Sequence, residues 1–203
     1  MPKVVDAGER RELVADALFR VVARDGLHGA SLRSVAAEAD LNLGSVRHYF
    51  AGQSDLMRFA MRTLVDRVAA RMAARVEAIG DPGSLPADER VDAAVDLFAE
   101  LLPLDARRHD EVVVFLEFSA AARRDPGLAD LERESTTGTD ALVRRALTAS
   151  LGAGRDLDTE ADRLAALLDG LSLAGTRAVD PVGPARCRAA LRAHLLDLRA
   201  PAG

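Results

Sequence analysis

Apolar residues recur every three or four positions along most of this chain, which is the pattern of amphipathic α-helices. The first such segment has five apolar positions on one helical face: Val14, Ala17, Leu18, Val21 and Val22. Gly26 follows them, and glycine often ends a helix because it adopts left-handed backbone angles without strain. The pattern therefore predicts a first helix over about residues 10–24.

Two short helices are predicted next. Ser31 is a favoured N-cap and begins a second helix that ends near Asp40, a residue type tolerated in the left-handed turn conformation. Asn42 caps a third helix, in which Val46 and Phe50 point inward. Because so few residues separate the two helices, the chain must turn tightly between them. A fourth helix is predicted from about residue 54.

The remaining chain also has helical periodicity, broken by clusters of turn residues. These clusters lie at 80–86, 125–127, 152–158 and 180–184. The best strand candidate, "VVVF" at 112–115, falls inside a run over 106–124 that has no helix breaker, so we predict helix there. The chain is therefore predicted to be all-α, with about nine helices.

Composition narrows the class of protein. The 203 residues are 49% hydrophobic, enough for one substantial core or a core with a small appended unit. No apolar run approaches the ~18 residues that a membrane span needs, and no secretory signal opens the chain. Cys187 is the only cysteine, which excludes an intramolecular disulfide and a cysteine-rich zinc site. We expect a soluble cytoplasmic protein without a bound metal or cofactor.

The distribution of charge indicates the class of protein less clearly than composition does. The net charge is −5, and residues 1–60 carry eight basic and eight acidic side chains. A protein that binds nucleic acid usually presents a basic patch. Any such patch on this chain must therefore be local.

The segment "LVADALFRVVARDGLHGASLRSVAAEADLNLGSVRHYFAGQSDLM", residues 13–57, combines these features. A supporting helix, a short capped helix, a tight turn and a second short helix make the helix-turn-helix unit. In its order of features the segment resembles the TetR family of transcriptional regulators. The pieces "LLPLDARRHDEVVVFLEFSAAARRDPGLADL" and "LAALLDGLSL" are similar to the BetI-type members.

The resemblance implies two domains and a function. Residues 1–55 would form a three-helix DNA-binding domain, and residues 56–203 a larger helical domain for ligand binding and dimerisation. The expected function is a ligand-responsive regulator, a repressor released from a palindromic double-stranded DNA operator by a small lipophilic or amphipathic molecule. Three positions depart from the family pattern, where an aromatic residue, a histidine and a lysine are replaced by Arg47, Tyr49 and Gln53. These departures leave the operator sequence open.

Ten residues are candidates for DNA contact. Arg47 can fork onto a guanine edge or a phosphate, and hydroxyl groups in the first turns of helices can hold phosphates. The candidates are Ser31, Arg33, Asn42, Leu43, Gly44, Ser45, Arg47, His48, Tyr49 and Gln53. The alternatives are a solvated arginine at Arg47, helix capping by the serines and packing of Tyr49 under the fourth helix.

An apolar ligand site is expected among the middle helices, with one or two polar groups to orient the ligand. Its candidate residues are Met61, Phe98, Leu101, His109, Phe115, Glu117, Phe118 and Leu142. Tryptophan is absent and Tyr49 is the only tyrosine, so an aromatic cage for choline could use only phenylalanine. The alternative is that each phenylalanine is part of the core.

Two leucine stripes at helical spacing are candidates for a homodimer interface, where the resemblance pairs the last two helices with their copies. They comprise Leu164, Leu167, Leu168, Leu171, Leu191, Leu195 and Leu198. The alternative is a core within one chain.

Two other classes of protein are alternatives to a DNA-binding regulator. A helical enzyme lacks support, because the four histidines show no metal-ligand spacing and Ser172 in "GLSLAG" falls in a predicted helix rather than a strand-turn-helix. A structural helical adaptor would explain the core but not the ordered motif.

Overall fold

The computed structural model describes residues 7–148 and 155–199, and within these ranges the chain forms nine α-helices and no strand. The helices are α1 (Ala7–Asp25), α2 (Leu32–Glu38), α3 (Leu43–Tyr49), α4 (Gln53–Ile79), α5 (Ala87–Phe98), α6 (Ala106–Ala122), α7 (Pro126–Thr148), α8 (Leu157–Gly175) and α9 (Pro184–Asp197). The all-α prediction is confirmed, including helix at "VVVF" in α6. The turn predicted at 152–158 lies partly outside the described residues.

The helix ends follow the local sequence signals. Gly26 ends α1 with a φ of 73°, and Asp40 occupies the left-handed region with a φ of 53° at the turn after α2. Both predictions are confirmed. In this turn the Leu41 N–H donates to the Ala36 carbonyl at 2.9 Å, which satisfies a carbonyl at the end of α2.

Packing divides the chain into two compact units. Unit 1 comprises residues 1–67 and 113–132, and unit 2 comprises residues 68–112 and 133–203. The limits fall inside α4, α6 and α7. The functional boundary predicted near residue 55 stays a prediction.

The first four helices share a core in unit 1. Its buried members include the predicted inward positions Val14, Ala17, Leu18, Val21, Val46 and Phe50, together with Val35 and Ala36 of α2. The Arg11 guanidinium carbon lies 5.2 Å from the centre of the Phe50 ring and 4.5 Å from that of Phe59. This cation–π arrangement joins α1 to the start of α4.

The core of unit 2 is built by α5, α7, α8 and α9. It contains Val91, Val95, Phe98, Leu102, Val143, Leu147, Ala161, Leu164, Leu168, Leu171, Cys187, Leu191, Leu195 and Leu198. Exposed ion pairs flank this core where α5 meets α9: Asp88 with Arg199, Asp92 with Arg192 and Asp96 with Arg188. Exposed pairs contribute little each, so burial of the apolar residues dominates.

Unit 2 also contains a buried ionic cluster centred on Arg71 of α4. Its Nη2 donates to Glu111 Oε2 at 2.6 Å, and its Nε donates to Glu100 Oε2 at 3.2 Å. Glu100 also pairs with Arg75 and lies 3.8 Å from Arg108. Because both carboxylates are less than a tenth exposed, they depend on these arginines for charge compensation.

Candidate nucleic-acid interface and ligand site

Side chains cap both short helices of the helix-turn-helix. Ser31 Oγ accepts from the Ser34 N–H at 3.1 Å, and Ser34 Oγ accepts in return from the Ser31 N–H at 2.8 Å. Asn42 Oδ1 accepts from the Ser45 N–H at 2.7 Å. Each helix has only seven residues, so these caps matter for its stability.

Helix α2 is also held to α1 by charge. Glu38 accepts from Arg20 Nε at 2.7 Å and from Arg24 Nη1 at 2.9 Å. The hydrogen bond from Arg20, followed by that from Arg24, lowers the pKa of the Glu38 carboxyl below its ordinary value. A lowered pKa stabilises the folded state at neutral pH, and this contribution is lost as the pH falls through that lowered pKa.

The outward face of the motif carries unpaired cations. Val46 of α3 is buried, whereas Arg47 is exposed, as is Arg33 of α2. Among the residues that the structure describes, neither arginine has a hydrogen-bond or ion-pair partner. Of the ten predicted DNA contacts, seven are exposed and Leu43, Ser45 and Tyr49 are half-buried. All ten stay predictions as DNA contacts.

Sequence reasoning missed Arg10. This residue of α1 lines a shallow groove together with Asn42, Ser45, His48 and Tyr49 of the motif. No partner of Arg10 lies among the described residues, so its guanidinium adds a third free cation on this side of unit 1. No local signal could have placed Arg10 there, because its proximity to α3 depends on how α1 packs.

Gln53 has a structural contact that the sequence did not indicate. Its Nε2 donates to the Ala30 carbonyl at 2.7 Å and so joins the start of α4 to the segment before α2. One of its two amide hydrogens is thereby committed within the protein.

Removal of the cap of α3 should destabilise the recognition helix. We expect Asn42→Ala to lower the free energy of unfolding by about 1 kcal/mol, because the Ser45 N–H loses its acceptor. Asn42→Ser, whose hydroxyl can also cap, should remain near wild type. Urea unfolding followed by circular dichroism measures both variants, and equal losses would contradict the capping role.

The eight predicted ligand residues do not form one site within either unit. Met61, Phe115, Glu117 and Phe118 belong to unit 1, whereas Phe98, Leu101, His109 and Leu142 belong to unit 2. Met61, Phe98 and Phe118 are at most 1% exposed, as expected for core side chains. Unit 2 contains an apolar cavity of about 120 Å³, and Leu142 is the one predicted residue that lines it.

Glu117, which was predicted to line the ligand site, has a hydrogen-bond partner within unit 1. Its Oε2 accepts from the backbone N–H of Leu27 at 3.1 Å, in the single turn between α1 and α2. The carboxylate thus links α6 to the DNA-binding helices within unit 1. His109 is half-exposed, and its Nδ1 lies 3.3 Å from Asp110 Oδ1.

The leucine stripes require a correction. Leu164, Leu168, Leu171, Leu191, Leu195 and Leu198 are at most 8% exposed in the single chain, and Leu167 packs against the same core. Side chains already covered by their own chain cannot form a contact surface in this conformation. The alternative of an intrachain core therefore holds for these stripes, since each buried leucine gains about 1.5–3 kcal/mol from its burial there.

Two observations among the described residues bear on the enzyme alternative. These residues contain no group of three or more histidine, cysteine or acidic side chains that could hold a metal ion. Ser172 lies inside α8, where its Oγ donates to the Leu101 carbonyl at 3.3 Å.

None of the helices described is long and apolar enough to cross a membrane.

Comparison with known proteins identifies the family. Residues 87–200 match the TetR C-terminal domain described as "BetI-type transcriptional repressor, C-terminal". The chain is also 34% identical over 184 residues to the HTH-type transcriptional regulator PksA of Bacillus subtilis (strain 168), covering 90% of this chain and 85% of that protein. The chain belongs to the TetR family.

Solved structures of transcriptional regulators agree with the fold. A transcriptional regulator from Rhodococcus sp. Rha1 is similar with a TM-score of 0.79 and 32% identity, covering 93% of this chain and 95% of that one. A transcriptional regulator from Saccharomonospora viridis in complex with choline has a TM-score of 0.78 at 24% identity, over 94% and 95% of the two chains. TetR-family proteins are transcriptional regulators, which sets aside the enzyme and adaptor alternatives.

Proposed function

We propose that this chain is a cytoplasmic repressor that binds a palindromic operator as a homodimer and is released by a small lipophilic or amphipathic molecule. The observation that carries the proposal is the capped α2–turn–α3 unit, in which Arg33 and Arg47 are exposed and have no partner within the described ranges. In a helix-turn-helix the second helix enters the major groove. An arginine on its outward face, with its guanidinium free, is suited to a guanine edge.

The contacts divide into two kinds. Arg47 specifies the sequence by reading a base, and Arg10, Arg33 and Ser45 position the motif on phosphates. Basic and acidic side chains balance over residues 1–60, so each protomer gains little from long-range attraction to DNA. Two motifs acting together therefore supply the affinity, which is why the proposal requires a dimer.

Release of DNA follows from a shift between two conformations. A ligand that binds better to the form whose recognition helices are wrongly spaced for successive major grooves raises the population of that form. The Glu117–Leu27 hydrogen bond supports α6 as a helix that can transmit this change, because it joins α6 directly to the turn before α2.

The dimer surface in this proposal uses the outward faces of α8 and α9, since their inward leucines are covered. Small and apolar residues are exposed there: Ala166, Gly170 and Leu173 on α8, and Ala185, Ala189 and Ala193 on α9. Leu173 is 56% exposed, and it is one of three large apolar side chains that are exposed among the described residues. Small side chains allow helices of two copies to approach closely, and Leu173 then becomes buried.

A charge at this face should separate the protomers. We expect Leu173→Glu to change the mass seen by light scattering at micromolar concentration from dimer to monomer, because dimerisation would bury an unpaired carboxylate. Val179→Glu is the matched control, since Val179 is 82% exposed in the segment after α8. A monomeric wild type, or a dimeric Leu173→Glu variant, would refute the proposed interface.

Ligand response is tested by fluorescence anisotropy of a labelled operator duplex bound to the protein. Hydrophobic and amphipathic compounds should lower the anisotropy, whereas choline should not. The structural relative that holds choline suggests the opposite outcome. Tyr49 lies in the helix-turn-helix, so an aromatic cage in the regulatory part of this chain could use only phenylalanine. Tight choline binding that releases DNA would therefore overturn the proposed ligand class.

A further inference from the structure

The cavity in unit 2 has an apolar wall. It lies among the end of α4, the turn after it, α5 and α7, and its volume is about 120 Å³. Six apolar side chains form much of the wall: Val76, Ile79, Leu85, Leu97, Leu142 and Ala146. An apolar cavity of about 150 Å³ holds a benzene molecule. The space here therefore suits an aromatic ring or a short branched chain.

Two arginines give the same cavity a positive charge. Arg90 and Arg145 are among its lining residues, and no carboxylate is among those the structure describes there. Arg90 Nη1 donates to the Leu85 carbonyl at 3.1 Å, which holds its guanidinium at the cavity, and no other partner of this guanidinium lies among the described residues. Arg145 is exposed and has no partner among the described residues.

Most other arginines of unit 2 are paired with carboxylates. Arg71, Arg108, Arg144, Arg188 and Arg192 each bond an aspartate or glutamate. Arg90 and Arg145 differ from these because the groups around them are apolar. Arg90 and Arg145 have no carboxylate partner in the described part of the chain and lie beside an apolar space. This arrangement matches a ligand that has one anionic end and one apolar end.

We infer that this cavity binds a small carboxylate whose apolar part is about the size of a benzene ring. The ring occupies the space between α4, α5 and α7, and Arg90 and Arg145 hold the carboxylate at its edge. A quaternary ammonium ligand would meet two like charges there. The inference names the ligand class of the proposed repressor and rests on that proposed function for its regulatory consequence.

Calorimetric titration of the full chain with three probes tests the charge preference of the cavity. The probes share a phenyl ring and differ in the charge of a short tail: phenylacetate, 2-phenylethanol and 2-phenylethylammonium. Phenylacetate should bind most tightly and the ammonium most weakly. Arg145→Gln and Arg90→Gln should each weaken phenylacetate binding by about tenfold, because each removes a charge-assisted hydrogen bond, and should leave 2-phenylethanol binding nearly unchanged. Arg107→Gln, an exposed arginine of unit 2 outside the cavity, is the control.

A second variant tests the location. Ala93 also lines the cavity and is half-buried, so Ala93→Phe should fill the space and abolish binding of phenylacetate while the helical circular dichroism remains. Equal affinity for the three probes, no binding at millimolar concentration, or unchanged phenylacetate binding in Arg145→Gln would overturn the inference.

Anisotropy of the operator complex separates this inference from the proposed function. Arginine-dependent phenylacetate binding without DNA release would support the site and contradict the proposed regulation through it. Release of DNA only by uncharged compounds, with no charge preference at the cavity, would support the proposed repressor function and contradict the carboxylate site.

Discussion

Arg47→Ala should weaken specific operator binding by about 1–3 kcal/mol, or roughly 5- to 150-fold in affinity. Arg47 is the one arginine on α3, its side chain is exposed, and no partner within the described residues competes for its guanidinium. Its neighbour Val46 is fully buried and stays in place, so the substitution should leave the fold intact. Gel shift with an operator and with an unrelated duplex measures the specific part of the loss.

Arg107→Ala is the matched control for this experiment, since Arg107 is exposed and lies in unit 2. Both variants remove one positive charge, so a loss shared by the two would reflect net charge alone. Operator affinity that is unchanged in a folded Arg47→Ala variant would show that α3 does not read the DNA.

Arg71→Leu should lower the free energy of unfolding by about 3 kcal/mol, because it removes the partner of a buried carboxylate. Glu111 is 8% exposed and bonds Arg71 through both of its oxygens, at 3.2 and 2.6 Å. Glu100 is less affected because Arg75 and Arg108 remain beside it. Urea unfolding gives the free energy, and the same scan reports any change in cooperativity.

Arg75→Leu provides the comparison, since the Arg75 side chain is 51% exposed and its partner Glu100 keeps two other arginines. The expected loss there is below about 1 kcal/mol. Equal losses of unfolding free energy in the two variants would mean that burial of the cluster does not determine how much its ion pairs stabilise the fold.

Local features of the fold could be predicted from the sequence because they depend on neighbouring residues. The caps at Ser31 and Asn42, the left-handed Asp40 and the inward Val46 are decided within one helical turn, and the structure contains all of them. The helix-turn-helix was therefore recognisable before any tertiary contact was known.

Features that depend on packing between distant segments could not be predicted. Periodicity showed that the leucines of α8 and α9 share a face, but an intrachain core and a dimer interface give the same pattern. Glu117 was predicted to line the ligand site because it lies near apolar residues in the sequence. Its hydrogen-bond partner, the Leu27 N–H, instead lies 90 residues earlier in the chain. Arg10 likewise lies in the groove beside α3 because of how α1 packs, which the local sequence does not show.

The cavity that we propose as the ligand site could not be predicted for a related reason. Phenylalanines were expected to line it because they are large and apolar, but such residues are also the most strongly driven into the core, as Phe98 and Phe118 are. The cavity is lined by smaller residues and by two arginines, and only the three-dimensional structure shows that no carboxylate partner of these arginines lies among the described residues.

Selection of bound sites from random double-stranded DNA tests the central claim most directly. The wild-type chain should enrich a palindrome whose half-sites lie about one helical turn, or a multiple of it, apart. Arg47→Ala should enrich a motif with relaxed preference at one symmetric pair of positions. Failure of the folded wild-type chain to enrich any motif, or enrichment of the same motif with the same preferences by Arg47→Ala, would contradict DNA recognition through α3.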